Sequence, residues 1–197
     1  MKKILVILVF LNLSLYSQNL NIAIASNVSY AISDLKKEFN KIHPNININV
    51  ILGSSGALSA QIQNAAPYDI FMSANMIYPD FLYSKNLSNK AKVYAKGSLV
   101  IFSKKKRDFK NGFNMISIKN IKRIAIANPK TAPYGEASLE ALKNSKLYEK
   151  NKHKLIYGHS IAHTLSYAFS AAQIAIVAKS SLFSEKMRKF KKDFNWI

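Results

Sequence analysis

Asn21-Ile-Ala-Ile-Ala25-Ser26-Asn27 and Gly53-Ser54-Ser55-Gly56 decide how this chain is read. Each places small hydroxyl residues just after an apolar, β-like run and just before a stretch with helical spacing. The first run covers 21–25 and leads into 28–39; the second covers 46–52 and leads into 57–62. A strand that ends in a Ser-rich loop and opens a helix presents free backbone N–H groups, the positive end of a dipole and hydroxyl donors. Two such ends facing each other hold an oxyanion without a charged side chain. The pattern points to an anion-binding protein and away from an enzyme.

Outward from these stretches the chain alternates short apolar runs with amphipathic ones. Strand-like segments fall at 21–25, 46–52, 69–73, 98–102, 123–127, 154–157 and 174–178. Helix-like segments fall at 28–42, 57–64, 75–85, 134–143, 161–170 and 182–191. Such alternation predicts an α/β fold with parallel or mixed sheets, whose ligands sit beyond the carboxyl ends of the strands. Pro133 suits a first helical turn, where its missing N–H costs nothing. Ser160 is placed to cap a helix at Ile161, and Ser26 or Asn27 one at Val28. Pro44 stops the first helix after His43. The stretch 112–119 has no clear period and reads as a surface connection.

The first seventeen residues read as an export signal. Lys2 and Lys3 precede the apolar run 4–13, and the small-residue stretch 14–17 predicts cleavage near Ser17. That run is shorter than the ~20 residues that span a bilayer. Without cysteine there is no disulfide, lipoprotein anchor or thiol chemistry. The net charge of +19 draws attention to polyanions. Its carriers are mostly lysine, however, with arginine only at 107, 123 and 188. The lysine runs also lack the interleaved aromatics of a single-strand platform. The reading is a solvated basic surface with no nucleic-acid partner.

His159 and His163 stand four apart, with His153 upstream, but no acidic or thiol residue joins them as a third zinc ligand. Asp34 and Glu38 share a helical face with Lys37 and Lys41, as a surface charge lattice does. No P-loop, dinucleotide fingerprint or nucleophile elbow appears. Neither a resident metal nor a cofactor is expected.

Five signatures, two of them extending the opening stretches, run in order along the chain: Ala23-Ile-Ala-Ser-Asn-Val28, Gly53-Ser-Ser-Gly-Ala-Leu-Ser-Ala-Gln-Ile62, Ala66-Pro-Tyr-Asp-Ile-Phe-Met-Ser-Ala-Asn75, Ala127-Asn-Pro-Lys-Thr-Ala-Pro-Tyr-Gly135 and Ala172-Gln-Ile-Ala-Ile-Val-Ala178. With them the chain resembles the periplasmic molybdate-binding proteins that serve ABC importers, over nearly all of the exported part. The resemblance implies a two-lobed periplasmic-binding-protein-like fold closing over one tetrahedral oxyanion. The expected division is a signal at 1–17, a first lobe at 18–82 and a second at 83–197. It also implies that relatives continue well past Ile197 and return to complete the first lobe, so this chain is expected to lack that return.

Carried over position by position, the resemblance implies that Ser26 and Ser55 donate hydroxyls and neighbouring N–H groups. Tyr134 and Ile161 would add backbone N–H groups from the second lobe. Some members supply a tyrosine hydroxyl where this chain has Ala178, with Ser180 or Tyr134 as possible compensation. The implied protein is a periplasmic monomer that takes up molybdate or tungstate and passes it to an ABC permease. Two alternatives stay open: a protein of the same fold for sulfate, thiosulfate or a small organic anion, and a basic protein that binds polyanions through its lysine runs.

Overall fold

Each of the seven strand-like runs forms a strand in the computed structural model, which describes residues 18–183, Met187 and the backbone at 195–196. The expected leader at 1–17, and most of the helix expected at 182–191, lie outside the described residues. β1 (Gln18–Ala25), β2 (Ile46–Gly53) and β3 (Ile70–Met72) make a wholly parallel three-stranded sheet in the order β2-β1-β3. A five-stranded sheet follows: β4 (Leu99–Ser103), β5 (Ile124–Ala127), β6 (Leu155–Gly158), β7 (Ile174–Ala178) and β8 (Asn195–Trp196). Its order is β6-β5-β7-β4-β8, with β5, β6 and β7 parallel and β4 antiparallel to both neighbours. The helices are α1 (Ile32–Ile42), α2 (Ser55–Gln63), α3 (Ile77–Ser84), α4 (Pro133–Asn144), α5 (Tyr148–Asn151) and α6 (Ile161–Ser170).

Alternating Ile and Ala explain how the second sheet is covered on both faces. Ile124 and Ile126 of β5, with Ile174 and Ile176 of β7, join a cluster closed by Leu142 of α4 and by Met115 and Ile116. Ala125, Ala127, Ala175 and Val177 face the other way, against Ile161, Leu165 and Ala168 of α6. Parallel strands need cover on both faces, and each large apolar side chain so buried contributes ~1.5–3 kcal/mol. The first sheet has a smaller cluster of Ile22, Ile24, Val28 and Ile48, lined by half-buried Ile32 and Phe39 of α1.

Two local expectations are corrected. The segment expected as a loop at 112–119 contains a 3-10 helix, Gly112–Ser117, because Met115 and Ile116 are drawn fully into the core. The first helix starts at Ile32, not at Val28. Before it the backbone makes successive tight turns, Val28 N–H to Ala25 O (3.0 Å), Ser29 N–H to Ser26 O (3.3 Å) and Ala31 N–H to Val28 O (2.9 Å). Neither Ser26 nor Asn27 therefore caps a helix. The turns send Tyr30 away from its own sheet and onto the cluster that holds Ile161.

Candidate oxyanion site

Register places the candidate residues in two sets, each at the carboxyl ends of neighbouring strands. Ala25 pairs with Gly53 at the carboxyl ends of β1 and β2, so Ser26 and Ser54 leave adjacent strands side by side. Ala127 pairs with Gly158 at the carboxyl ends of β5 and β6, and Asn128 N–H donates to Gly158 O (2.8 Å). The starts of α4 and α6 are thereby neighbours. Gly56 N–H, in the first turn of α2, donates to Thr131 O (2.8 Å) and joins the two sets. A Cβ at Gly56 would come within 2.8 Å of both Thr131 O and the Tyr78 hydroxyl, so only glycine permits this approach. Ser180 Oγ donates to Asn27 O (3.0 Å), a second bond between the sheets.

Each expected residue then has a distinct state. Ser26 is buried, and both its N–H and its hydroxyl donate to Gly53 O, each at 3.0 Å. In this arrangement its hydroxyl proton is committed; the N–H that meets no described acceptor is that of Asn27. Ser55 is fully buried, and its hydroxyl oxygen accepts the Ala74 N–H (2.9 Å), which leaves its proton free to donate. The backbone N–H groups of Ser55, Tyr134 and Ile161, at the starts of α2, α4 and α6, have no partner among the described residues. Those are the orphan donors that every helix start carries. Ser160 caps α6 as expected, accepting the His163 N–H at 3.3 Å.

Asn27 was weighed from the sequence only as a helix cap, and Thr131 and Gly97 were not singled out. Asn27 Oδ1 is buried with no hydrogen-bond partner among the described residues. Thr131 supplies the carbonyl that meets α2. Gly97 lies where any Cβ would collide with the Tyr134 hydroxyl. Of Thr131 and Gly97, only the glycine offered a sequence signal, and a weak one. Ser180, weighed as a replacement donor, commits its hydroxyl to Asn27 O instead. Ala178 is fully buried in β7 and brings no donor.

Tyr134 stands between two cavities of about 420 and 480 Å³. Asn27, Asn75, Lys96 and Ser180 line the first, and Asn75, Gly97 and Glu136 the second; Ser26, Ser55 and Ile161 line neither. Burial raises the Tyr134 phenol above its ordinary 10.0, and the Asn27 side chain opposes this. Burial likewise raises Tyr30, with Ser181 acting against it. Both are neutral donors at ordinary pH. His159 and His163 stack at 5.3 Å between ring centroids, and no group of three metal-ligating side chains occurs among the described residues.

Residues 20–194 match the family described as bacterial extracellular solute-binding protein. The chain belongs to that family. It is 31% identical over 167 residues to the molybdate-binding protein ModA of Azotobacter vinelandii, covering 83% of this chain and 66% of that one. It is 28% identical over 149 residues to YvgL of Bacillus subtilis, a putative ABC transporter substrate-binding lipoprotein, covering 75% and 57%. The solved periplasmic molybdate-binding protein of Azotobacter vinelandii superposes with a TM-score of 0.76 at 30% identity, over 81% of this chain and 71% of that one. The fold of this solute-binding protein is therefore that of the periplasmic binding proteins. The chain spans about 57 to 66% of the length of these two curated relatives.

Proposed function

We propose that this solute-binding protein captures a tetrahedral dianion, molybdate or tungstate, in the periplasm and delivers it to the permease of an ABC importer. The observation that carries the reading is the set of free N–H groups at three uncharged helix starts, Ser55, Tyr134 and Ile161, with α2 tied to the loop before α4 by the Gly56–Thr131 bond. The molybdate-binding name of the Azotobacter relative supports the choice of anion. Donors fixed in place replace the water stripped from the anion, and the helix dipoles add partial positive charge without a counter-ion. A site made of donors alone rejects an anion that still carries a proton, since its O–H would be buried against another donor. Phosphate at neutral pH is such an anion. Sulfate carries no proton, but its smaller radius lengthens every contact together.

Thermal unfolding with molybdate, tungstate, sulfate and phosphate tests this. Molybdate or tungstate at 100 times its dissociation constant should add ~2.7 kcal/mol to the folded state, and phosphate should add nothing. A rise with sulfate alone would replace the reading by the one that Ala178 favours, a site with one hydroxyl fewer for a different anion.

The raised phenols of Tyr30 and Tyr134 give one alkaline contribution to stability. The unfolded chain releases phenolic protons near 10.0, while Tyr30 and Tyr134 in the folded chain hold theirs to higher pH. Their stabilising contribution is complete below about pH 10 and is lost as pH rises through the folded values. The unfolding temperature should fall in that alkaline range, and less steeply in Tyr30→Phe. An equal fall in the variant would remove Tyr30 from this account.

A further inference from the structure

The second sheet has another pole, opposite the one that carries Tyr134 and Ile161. There the amino ends of the parallel strands β5, β6 and β7 meet the carboxyl end of antiparallel β4. Gln173, just before β7, ties that end together. Its Oε1 accepts the N–H groups of Lys122 (3.1 Å) and Arg123 (2.7 Å), and its carbonyl accepts from Ser103 Oγ (3.3 Å) at the end of β4. Lys104, Lys105 and Lys106 leave β4 here, and Lys150, Lys152 and Lys154 lead into β6. Stretches far apart in the chain thus share one surface.

Segments 104–123 and 143–154 hold thirteen Lys and Arg residues against two acids, and both acids already face a lysine. Glu149 pairs with Lys152 at 2.7 Å and Asp108 with Lys110 at 4.0 Å. The cations are crowded enough that burial, Lys150 and Lys122 together lower the Lys154 ammonium from its ordinary value. Most of these side chains are exposed, and Ile118 beside Lys119 is 39% exposed.

We propose that this basic pole is an electrostatic docking surface for an anionic phospholipid bilayer. Lysine ammoniums act as point charges, which suits phosphates distributed over a fluid surface. Readout of nucleic acid favours arginine forks, and only Arg107 and Arg123 occur in these segments. Stacking of single-stranded bases needs exposed rings, yet Phe109, Phe113 and Tyr148 pack inward on the Ile-rich core. Held by this pole, the protein turns the opposite end of the sheet, with the candidate site, away from the lipid.

Sedimentation of the full chain with phosphatidylcholine vesicles, with and without phosphatidylglycerol, tests the proposal. Pure phosphatidylcholine reports whatever the apolar stretch 4–13 contributes. Binding to the anionic vesicles should exceed that level and weaken as salt is added. The variant Lys105→Gln/Lys106→Gln/Lys122→Gln/Lys150→Gln should lose about fivefold for each charge removed. Lys37→Gln/Lys41→Gln/Lys85→Gln/Lys90→Gln removes as much charge from the first sheet's side and should lose far less. Equal loss in both variants would overturn the proposal, because net charge and not the pole would then act. Equal binding to neutral vesicles, or displacement from anionic vesicles by an oligonucleotide of matched charge, would overturn it too. All eight lysines are exposed, and an unfolding curve for each variant checks its fold. If four changes weaken the fold, Lys105→Gln/Lys106→Gln decides by the same comparison.

Discussion

The first and second sheets follow the same parallel logic but are buried to different depths. Around β5 and β7 two clusters lie back to back, one on each face. Around β1 the cluster has four buried side chains, and α1 packs on it without fully burying any residue. Ten of the thirteen large apolar side chains most exposed among the described residues precede residue 95, Leu35, Ile42, Leu52 and Phe81 among them. The second sheet can therefore stand as a rigid platform for the starts of α4 and α6. The first sheet presents Ser26 and Ser55 from a less deeply packed base, and its position depends more on the bonds that cross to its neighbour.

The largest effect that could break this comparison is Ile126→Ala. It empties a fully buried position on β5 and should cost ~4 kcal/mol in chemical unfolding, against ~2 kcal/mol for Ile48→Ala in the smaller cluster. Equal losses would show that the two sheets are equally well packed. Next comes Gly56→Ala, whose methyl would press on the Thr131 carbonyl at the join. It should cost ~1–3 kcal/mol and reduce the stabilisation given by molybdate. Unchanged ligand stabilisation would mean that the join does not shape the site. Ser55→Ala leaves the Ala74 N–H without its acceptor, for ~1–2 kcal/mol, and should weaken oxyanion binding by titration calorimetry. Full affinity in that variant would remove Ser55 from the site. The smallest change expected is Leu35→Ala on α1, a half-exposed side chain at the rim of the 420 Å³ cavity, within ~0.5 kcal/mol. A loss above ~1 kcal/mol there would show that this side chain is packed in solution.

The helix starts that make up the candidate site were legible before the fold. Ser55, Tyr134 and Ile161 were placed at helix starts, and all three begin helices within the first two residues. Ser26 misled in one respect. A serine after a strand and before an amphipathic stretch signals a cap, yet α1 begins only at Ile32. The hydrophobic spacing of 28–39 is real, but Tyr30 belongs to a core on the other sheet, and that pull converts the first turn into successive tight turns. The stretch 112–119 misled for the same reason, since its lack of period hid two residues claimed by a distant core.

By itself the sequence determined the alternation of strands and helices, the polarity of the helix starts and the resemblance to a family of solute-binding proteins. Those features depend on residues close together in the chain, whose periodicity, capping and turn chemistry act locally. Only the tertiary structure decided which donors remain free. It spends the Ser26 hydroxyl on Gly53, bonds Ser180 to Asn27 across 153 residues, and sets Gly56 against Thr131. It also gathered lysines that read as scattered solvated charge into one pole of the second sheet. Strand order places them there, and strand order follows from pairing between distant segments that no local pattern encodes.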